Sequence, residues 1–239
     1  MILLGIDDTD TLDTPGTNQL ARRLAEVMPP GFECTLILRH QLFFDPRVPY
    51  TSQNGCASLL IRRQPGRRAD ALLPVLQAEM QAWYVPGSDP GLCLAERVSP
   101  AITEFAGRCQ RDVVQQSEAR ALAEREGIHL EGFGGTEDGV IGALAGVALL
   151  AGGEDGRVVH LAGWQWPDPF AGPQTVQAIR ARGVQEIRAG DGVTRVERGT
   201  IDVGKHLRPN YRGGRVVLFV EPVEGGPGGG SSWRARKLL

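Results

Sequence analysis

The sequence predicts a two-domain protein of the mixed α+β class, on three observations. It opens on a short apolar run, Ile2 to Ile6, with the length and composition of a buried strand. Segments with helical spacing then alternate with such runs along the chain. From Gly127 the composition shifts toward glycine and small apolar residues, which points to a boundary near residues 110–130. We set the expected domains at 1–115 and 116–224, with 225–239 as a flexible Gly-rich tail.

The elements follow in order. After the first strand come Asp7, Asp8, Asp10 and Asp13, interspersed with Thr9, Thr11, Thr14 and Thr17, and a Pro15-Gly16 turn. Asn18 to Met28 carries apolar residues at helical spacing, with Thr17 in the place of an N-cap. Pro29-Pro30-Gly31 breaks the chain, and strands are expected at Cys34–Leu42 and Cys56–Ile61. Ala69–Tyr84 has a helical period, Leu92–Ala95 is a short strand, and Ser99-Pro100 opens a helix to Gly107. Ser117 is expected to cap a helix ending near Glu126. Gly132-Phe133-Gly134-Gly135 reads as a lid-like loop before a helix of small residues, Ile141 to Leu150. Further strands are expected at Arg157–Trp164, Glu186–Arg188, Val193–Arg198 and Val216–Val220, with a helix at Pro173–Arg182.

With 239 residues and 41% hydrophobic content the chain can bury a proper core. A net charge of −2 implies no strongly basic surface, which argues against tight non-specific nucleic-acid binding. Cys34, Cys56, Cys93 and Cys109 are far apart, with no C-x-x-C pair, so reduced thiols in a cytoplasmic protein are the simplest account. No long apolar segment or signal peptide is evident, so no membrane partner is expected.

The acidic loop carries the chemistry. Four carboxylates within seven residues repel one another, and a hard cation among them relieves the repulsion. The following helix start offers N–H groups and a positive dipole end to phosphate. The combination reads as a site for Mg2+ and a nucleotide; a solvated polar turn is the plain alternative.

Gly5-Ile6-Asp7-Asp8-Thr9-Asp10, followed by Gly16-Thr17 and a helix, resembles the archaeal tRNA-Ile agmatidine synthetases, the 2-agmatinylcytidine synthetase family. Three further blocks resemble it in the same order. They are Arg39 through Pro49-Tyr50 to Asn54-Gly55, Asp138-Gly139-Val140-Ile141-Gly142-Ala143-Leu144-Ala145, and Leu161 to Trp166-Pro167. The likeness covers roughly residues 1–170.

The resemblance implies an ATP-dependent, ligase-type enzyme with a kinase-like N-terminal domain followed by a ferredoxin-like one. Family members phosphorylate a base carbonyl oxygen, and an amine (agmatine) then displaces the phosphate. Carried over by position, Asp7, Asp8 and Asp10 would hold Mg2+ and ATP, with Thr9, Gly16, Arg39, Asn54 and Gly55 around the nucleotide. Thr17 falls where the family has a phosphate-accepting threonine. Asp138, Ile141, Gly142 and Ala143 would back the amine pocket. The synthetases continue into an OB-fold and a zinc ribbon that grip tRNA. This sequence stops at residue 239 without them, so a small-molecule acceptor and amine are expected rather than tRNA.

Other residues carry weaker signals. Lys205-His206 begins a basic loop reaching Arg212 that could hold an anionic substrate or be a solvated turn. His40, His129 and His160 lie in or near apolar strands and read as structural. Arg39 and Arg47 flank the Pro49-Tyr50 block, where one could meet phosphate; Asn54-Gly55 is turn chemistry by default. Trp164 and Trp166 read as a core edge or a stacking platform for a base.

Two rivals remain. Asp8-Thr9-Asp10-Thr11-Leu12 is close to the D-x-D-x-T start of haloacid-dehalogenase-type phosphatases. Those enzymes also need a downstream lysine and a late pair of acids, whereas the only lysines here are Lys205 and Lys237. The other rival is a nucleotide- or RNA-binding regulator that keeps the fold without catalysis.

Overall fold

A computed structural model describes residues 1–48, 53–223 and 232–237. The fold is α+β, and the chain divides into two compact units, Met1–Gly152 and Gly153–Leu239.

In the first unit, β1 (Ile2–Asp7) lies at the centre of a five-stranded sheet. Its partners are β3 (Ala57–Arg63) and β4 (Gly91–Ala95), both antiparallel. Beyond them lie β2 (Phe32–Arg39) on β3 and β5 (His129–Gly132) on β4, again antiparallel. All residues from Ile2 to Ile6 are buried, as a continuous apolar run requires of a central strand. Helix α1 (Thr17–Glu26) buries Leu20, Ala21 and Leu24 and packs on β1, β2 and β3. The Ala69–Tyr84 segment splits into a 3₁₀ turn (Ala69–Leu72) and α2 (Leu73–Trp83), with Pro74 in the first helical turn. Helix α3 (Pro100–Cys109) is capped as expected, the Ser99 hydroxyl accepting the Ile102 N–H at 3.4 Å.

Helix α4 (Gln116–Glu126) starts two residues earlier than expected. Gln115 is its N-cap, so Ser117 lies inside the first turn, and Gly127 closes the helix at φ 65°. Helix α5 (Gly139–Gly152) lies across β1, β3 and β4 and against α3 and α4. Its small residues permit this: a Cβ on Gly5 would overlap the Ala143 carbonyl oxygen, and one on Gly91 would overlap the backbone of Gly139 and Val140.

This packing explains why the chain does not divide at 115/116. Helix α4, strand β5 and helix α5 all complete the first sheet and its covering layer, so the division falls after Gly152.

The second unit contains β6 (Arg157–Leu161), β7 (Pro173–Thr175), α6 (Val176–Ala181), β8 (Glu186–Ala189), β9 (Thr200–Asp202), β10 (Asn210–Arg212), β11 (Arg215–Pro222) and β12 (Ser232–Ala235). Strand order is β6-β10-β11-β12-β9-β7, with β8 parallel to β11. Val176, Ile179, Ile187, Ile201, Val217 and Leu218 form its core.

The expected helix at 173–182 is shorter, because Pro173–Thr175 pairs with β9 and the Thr175 hydroxyl then caps α6, accepting the Ala178 N–H at 3.1 Å. Val193–Arg198 makes a single bridge, Arg188 to Arg195, rather than a strand. The expected flexible tail is in part ordered: Ser232–Ala235 is a strand paired with β11 and β9, although residues 225–231 lie outside the described residues. Pro49 and Tyr50 likewise lie outside them.

Candidate functional site

The acidic loop leaves the C-terminal end of β1 and reaches the start of α1 at the mouth of a cavity of about 550 Å³. The cavity is built within the first unit, lined by the β1 end, Leu42, Phe43, Arg47, Val48 and Gln53 to Gly55, the turn before β4, the loop into α4 and the first turn of α5. Its lining includes Asp7, Asp8, Asp10, Thr17, Asn54, Gly55, Asp138, Ile141 and Gly142. Residues spread over 136 positions thus meet at one place.

The charge there is lopsided. Asp7, Asp8, Asp10, Asp89, Asp112 and Asp138 line the cavity against one lining cation, Arg47, whose guanidinium is paired with Asp45 at 2.7 Å. Burial and then the neighbouring Asp8 carboxylate push Asp7 up to about 8. Burial pushes Asp8 up to about 6, followed by the Asp89, Asp10 and Asp138 charges. Asp8 also adopts φ 52°, uncommon for a residue with a side chain. Its carbonyl accepts the Asp89 N–H at 3.1 Å, which ties the β1 end to the turn before β4.

Asp10 faces the helix start. Its Oδ1 accepts both the Thr17 N–H (3.3 Å) and the Thr17 hydroxyl (3.0 Å), while the Thr9 hydroxyl donates to Thr17 Oγ1 at 3.1 Å. The N-cap is therefore Gly16, which lacks a side chain, and Asp10 satisfies the first helical N–H from outside. Thr17 is the first residue of the helix rather than its cap. Thr9, at 1% exposure, is buried behind this pair and does not line the cavity.

Asn54 forms part of the wall. Its Nδ2 donates to the Phe43 carbonyl at 2.8 Å, and its own carbonyl accepts the Leu42 N–H at 3.0 Å. Gly55 is needed because a Cβ there would meet the His40 carbonyl at 2.6 Å. Arg39 lies behind Gly55, with Nη1 donating to Gln53 Oε1 at 3.2 Å, and is absent from the lining. Gly16 and Ala143 are also outside the lining; Ala143 instead abuts Gly5 on β1. Lys205 and His206 belong to the second unit, in the loop between β9 and β10, where the His206 ring lies 5.7 Å from that of Trp166.

The 132–138 loop is fastened rather than lid-like. Phe133 N–H donates to the Pro90 carbonyl at 2.9 Å, Thr136 N–H to the Asp89 carboxylate, and Gly134 is packed against the Tyr84 ring. All four cysteines are free and buried, and burial raises the thiols of Cys34 and Cys109 to about 12. His40 is structural, buried with Nε2 at 2.7 Å from the Ser58 hydroxyl.

Sequence reading missed Asp89, Asp112 and the 113–116 segment. The available signal was Asp89-Pro90-Gly91, an acid at a turn beside a strand start, which repeats in reverse the strand-then-acid pattern of β1. Among the described residues no three His, Cys, Asp or Glu side chains stand close enough to enclose a metal ion by themselves. Nor is any described helix long and apolar enough to cross a membrane.

No protein-family model matches the chain. It is 29% identical over 184 residues to the tRNA(Ile2) 2-agmatinylcytidine synthetase TiaS of Methanosarcina mazei, covering 73% of this chain and 42% of that protein. The chain is similar to TiaS. Solved structures agree. Apo TiaS, the tRNAIle2 agmatidine synthetase, matches with a TM-score of 0.54 and 25% identity over 62% of this chain and 35% of that one. The TiaS–tRNA(Ile2)–AMPCPP–agmatine complex matches with a TM-score of 0.53 and 25% identity, over 61% and 35%. The chain thus spans less than half the length of the TiaS proteins it matches.

Proposed function

We propose that the chain is an ATP- and Mg2+-dependent phosphoryl-transfer enzyme of the ligase type, which activates an acceptor oxygen for attack by an amine. The observation that carries this reading is the convergence of Asp7, Asp8, Asp10 and Thr17 with the first turn of α5 on one cavity. The similarity to TiaS, solved in complex with an ATP analogue and agmatine, supports it. In this reading the first unit is the kinase-like module and the second unit holds the ferredoxin-like part.

The donor set fits a magnesium ion. Mg2+ takes one or two carboxylates and fills its other positions with water and phosphate oxygens, so three protein ligands are not required. Asp7, Asp8 and Asp10 offer hard oxygens; burial first and the neighbouring carboxylates second raise Asp7 and Asp8, and a divalent cation offsets the second of these. Bound there, the ion would neutralise phosphate charge.

The chain's own residues do the rest. Asp10 accepts the Thr17 hydroxyl proton's hydrogen bond, the geometry of a base beside a nucleophile. In the proposed step Thr17 Oγ1 attacks the terminal phosphorus, its proton passes to Asp10, and the bond to the nucleotide breaks. The phosphoryl group then passes from Thr17 Oγ1 to the acceptor's carbonyl oxygen, Asp10 returning its proton to Thr17. The amine nitrogen bonds to the carbonyl carbon, the bond from that carbon to the phosphorylated oxygen breaks, and phosphate and the amine's proton leave. The wall formed by Ile141, Gly142 and Asp138 gives the amine an apolar backing with an acid at its edge. The acceptor proposed carries a carbonyl oxygen that phosphorylation turns into a leaving group.

Incubation with γ-labelled ATP and Mg2+ tests the reading. Label should appear on the protein and disappear from the Thr17→Ala variant, and added acceptor plus amine should accelerate ATP consumption. ATP binding without any breakdown would leave a regulator instead. Parallel assays with tRNA and with free carbonyl acceptors decide the acceptor class.

A further inference from the structure

A second charged cluster lies in the second unit, on β8, β11 and the turn between β8 and Val196. Glu186 has a side chain only 7% exposed, yet three guanidiniums converge on it. Arg188 Nε donates to Oε2 at 2.8 Å, Arg195 Nη2 donates to Oε1 at 3.5 Å, and Arg215 Nη1 donates to Oε1 as well.

Strand register puts them there. Glu186 and Arg188 are two apart on β8 and so share a face. Arg195 bridges directly opposite Arg188, and Arg215 precedes Val217, the partner of Glu186 on β11, by two residues. Like charges directly opposite one another are destabilising unless an anion sits between them. One carboxylate among three guanidiniums leaves two positive charges over.

The three arginines are not equally engaged. Arg188 is the most engaged: its Nε and Nη2 meet Glu186 Oε2, and its Nη1 donates to the Gly192 carbonyl at 3.4 Å. Arg195 and Arg215 are 62% and 56% exposed, and among the described residues each makes one side-chain hydrogen bond, to Glu186. A guanidinium carries five N–H donors in a planar fork, so both present unspent donors to solvent. The remaining acids nearby are committed: Asp191 holds Thr194, and Glu197 pairs with Arg180 at 2.6 Å. The unit as a whole carries thirteen Lys and Arg against nine Asp and Glu, whereas the first carries thirteen against nineteen.

We propose that Arg195 and Arg215, held in place by Glu186, form a binding site for a phosphate group, either inorganic phosphate or the terminal monoester of a larger molecule. Two guanidinium forks meeting on one side of a buried carboxylate match the tetrahedral, multi-oxygen acceptor that a phosphate presents. Glu186 is an internal anion that partly occupies the same donors. The site is independent of the nucleotide cavity and survives if the proposed activity fails.

The test is NMR of the arginine Nε–Hε signals in the full chain, titrated with inorganic phosphate against chloride at matched ionic strength. Arg195 and Arg215 should shift saturably with phosphate alone. Glu186→Gln removes the internal rival and should tighten the phosphate midpoint by about tenfold, while Arg195→Ala should weaken it by a similar factor. Arg195 is exposed, so its variant reads the site even if Glu186→Gln does not fold. Glycerol phosphate binding more tightly than inorganic phosphate would mark an ester as the ligand, and equal binding would mark phosphate itself. Shifts that follow chloride as closely as phosphate, or an Arg195→Ala midpoint equal to wild type, would overturn the proposal.

Discussion

The Asp7 carboxylate lies directly against the Cα of Gly142, so closely that a Cβ at position 142 would overlap Asp7 Oδ2. A strand end and a helix start 135 residues apart in sequence are thus fitted to each other without space for a methyl group. Gly139 repeats the fit one turn earlier, where a Cβ would meet the Asp89 carbonyl at 2.5 Å and the Asp7 carbonyl at 2.7 Å.

Gly142→Ala should therefore push Asp7 out of place. Overpacking of this kind costs about 1–3 kcal/mol, and urea denaturation should report a loss in that range. Nucleotide affinity should fall along with it, whereas Gly152→Ala, with open space around its Cβ, should leave affinity unchanged.

The raised acids set a pH dependence. Asp7 is shifted from 3.8 to about 8, so the folded chain holds a proton that the unfolded chain has released across that window. Stability without divalent cations should then fall as pH rises from about 4 to about 8 and level off above, by at most about 1.4 kcal/mol per pH unit for one proton. Asp8 adds the same sign between about 4 and 6. Denaturation series at several pH values should show a shallower slope for Asp7→Asn; an unchanged slope would remove Asp7 from the account.

Cation binding should run the same equilibrium backwards. At pH 7 Asp7 is mostly protonated, and a divalent ion at its oxygens would expel that proton. Calorimetric titration of Mg2+ and ATP in two buffers of different ionisation enthalpy should report net proton release that Asp7→Asn diminishes.

Asp10 and Thr17 have a structural part as well. Asp10→Ala should cost about 0.5–2 kcal/mol, because it strips the α1 start of its outside acceptor, even though the residue sits in a loop. Thr17→Ser should keep both the hydroxyl's hydrogen bond to Asp10 and phosphate acceptance; Thr17→Ala should lose both and retain only the backbone N–H bond to Asp10.

Much of this arrangement was legible in the sequence. Ile2–Ile6 reads as a central strand because both its faces are buried, and the small residues of α5 read as a closely packed helix because that is their only advantage over larger ones. The loop acids were legible as a group because they adjoin one another. Asp89 and Asp112 were not, since only the fold carries them to the same cavity. Strands β5, β9 and β10 were missed for a related reason. Each has three or four residues, few of them buried, and is held by partners far along the chain rather than by its own pattern. The boundary near 115 followed a change in composition, but α5 is glycine-rich because it packs on the first sheet, not because a new domain begins there.

Isothermal titration of ATP into the protein, with and without Mg2+ and repeated on Asp8→Asn, tests the central claim most directly. The account predicts saturable binding by the wild-type chain that requires Mg2+ and is lost in Asp8→Asn while the fold, followed by circular dichroism, persists. No binding by the wild-type chain, or undiminished Mg2+-dependent binding by Asp8→Asn, would contradict it.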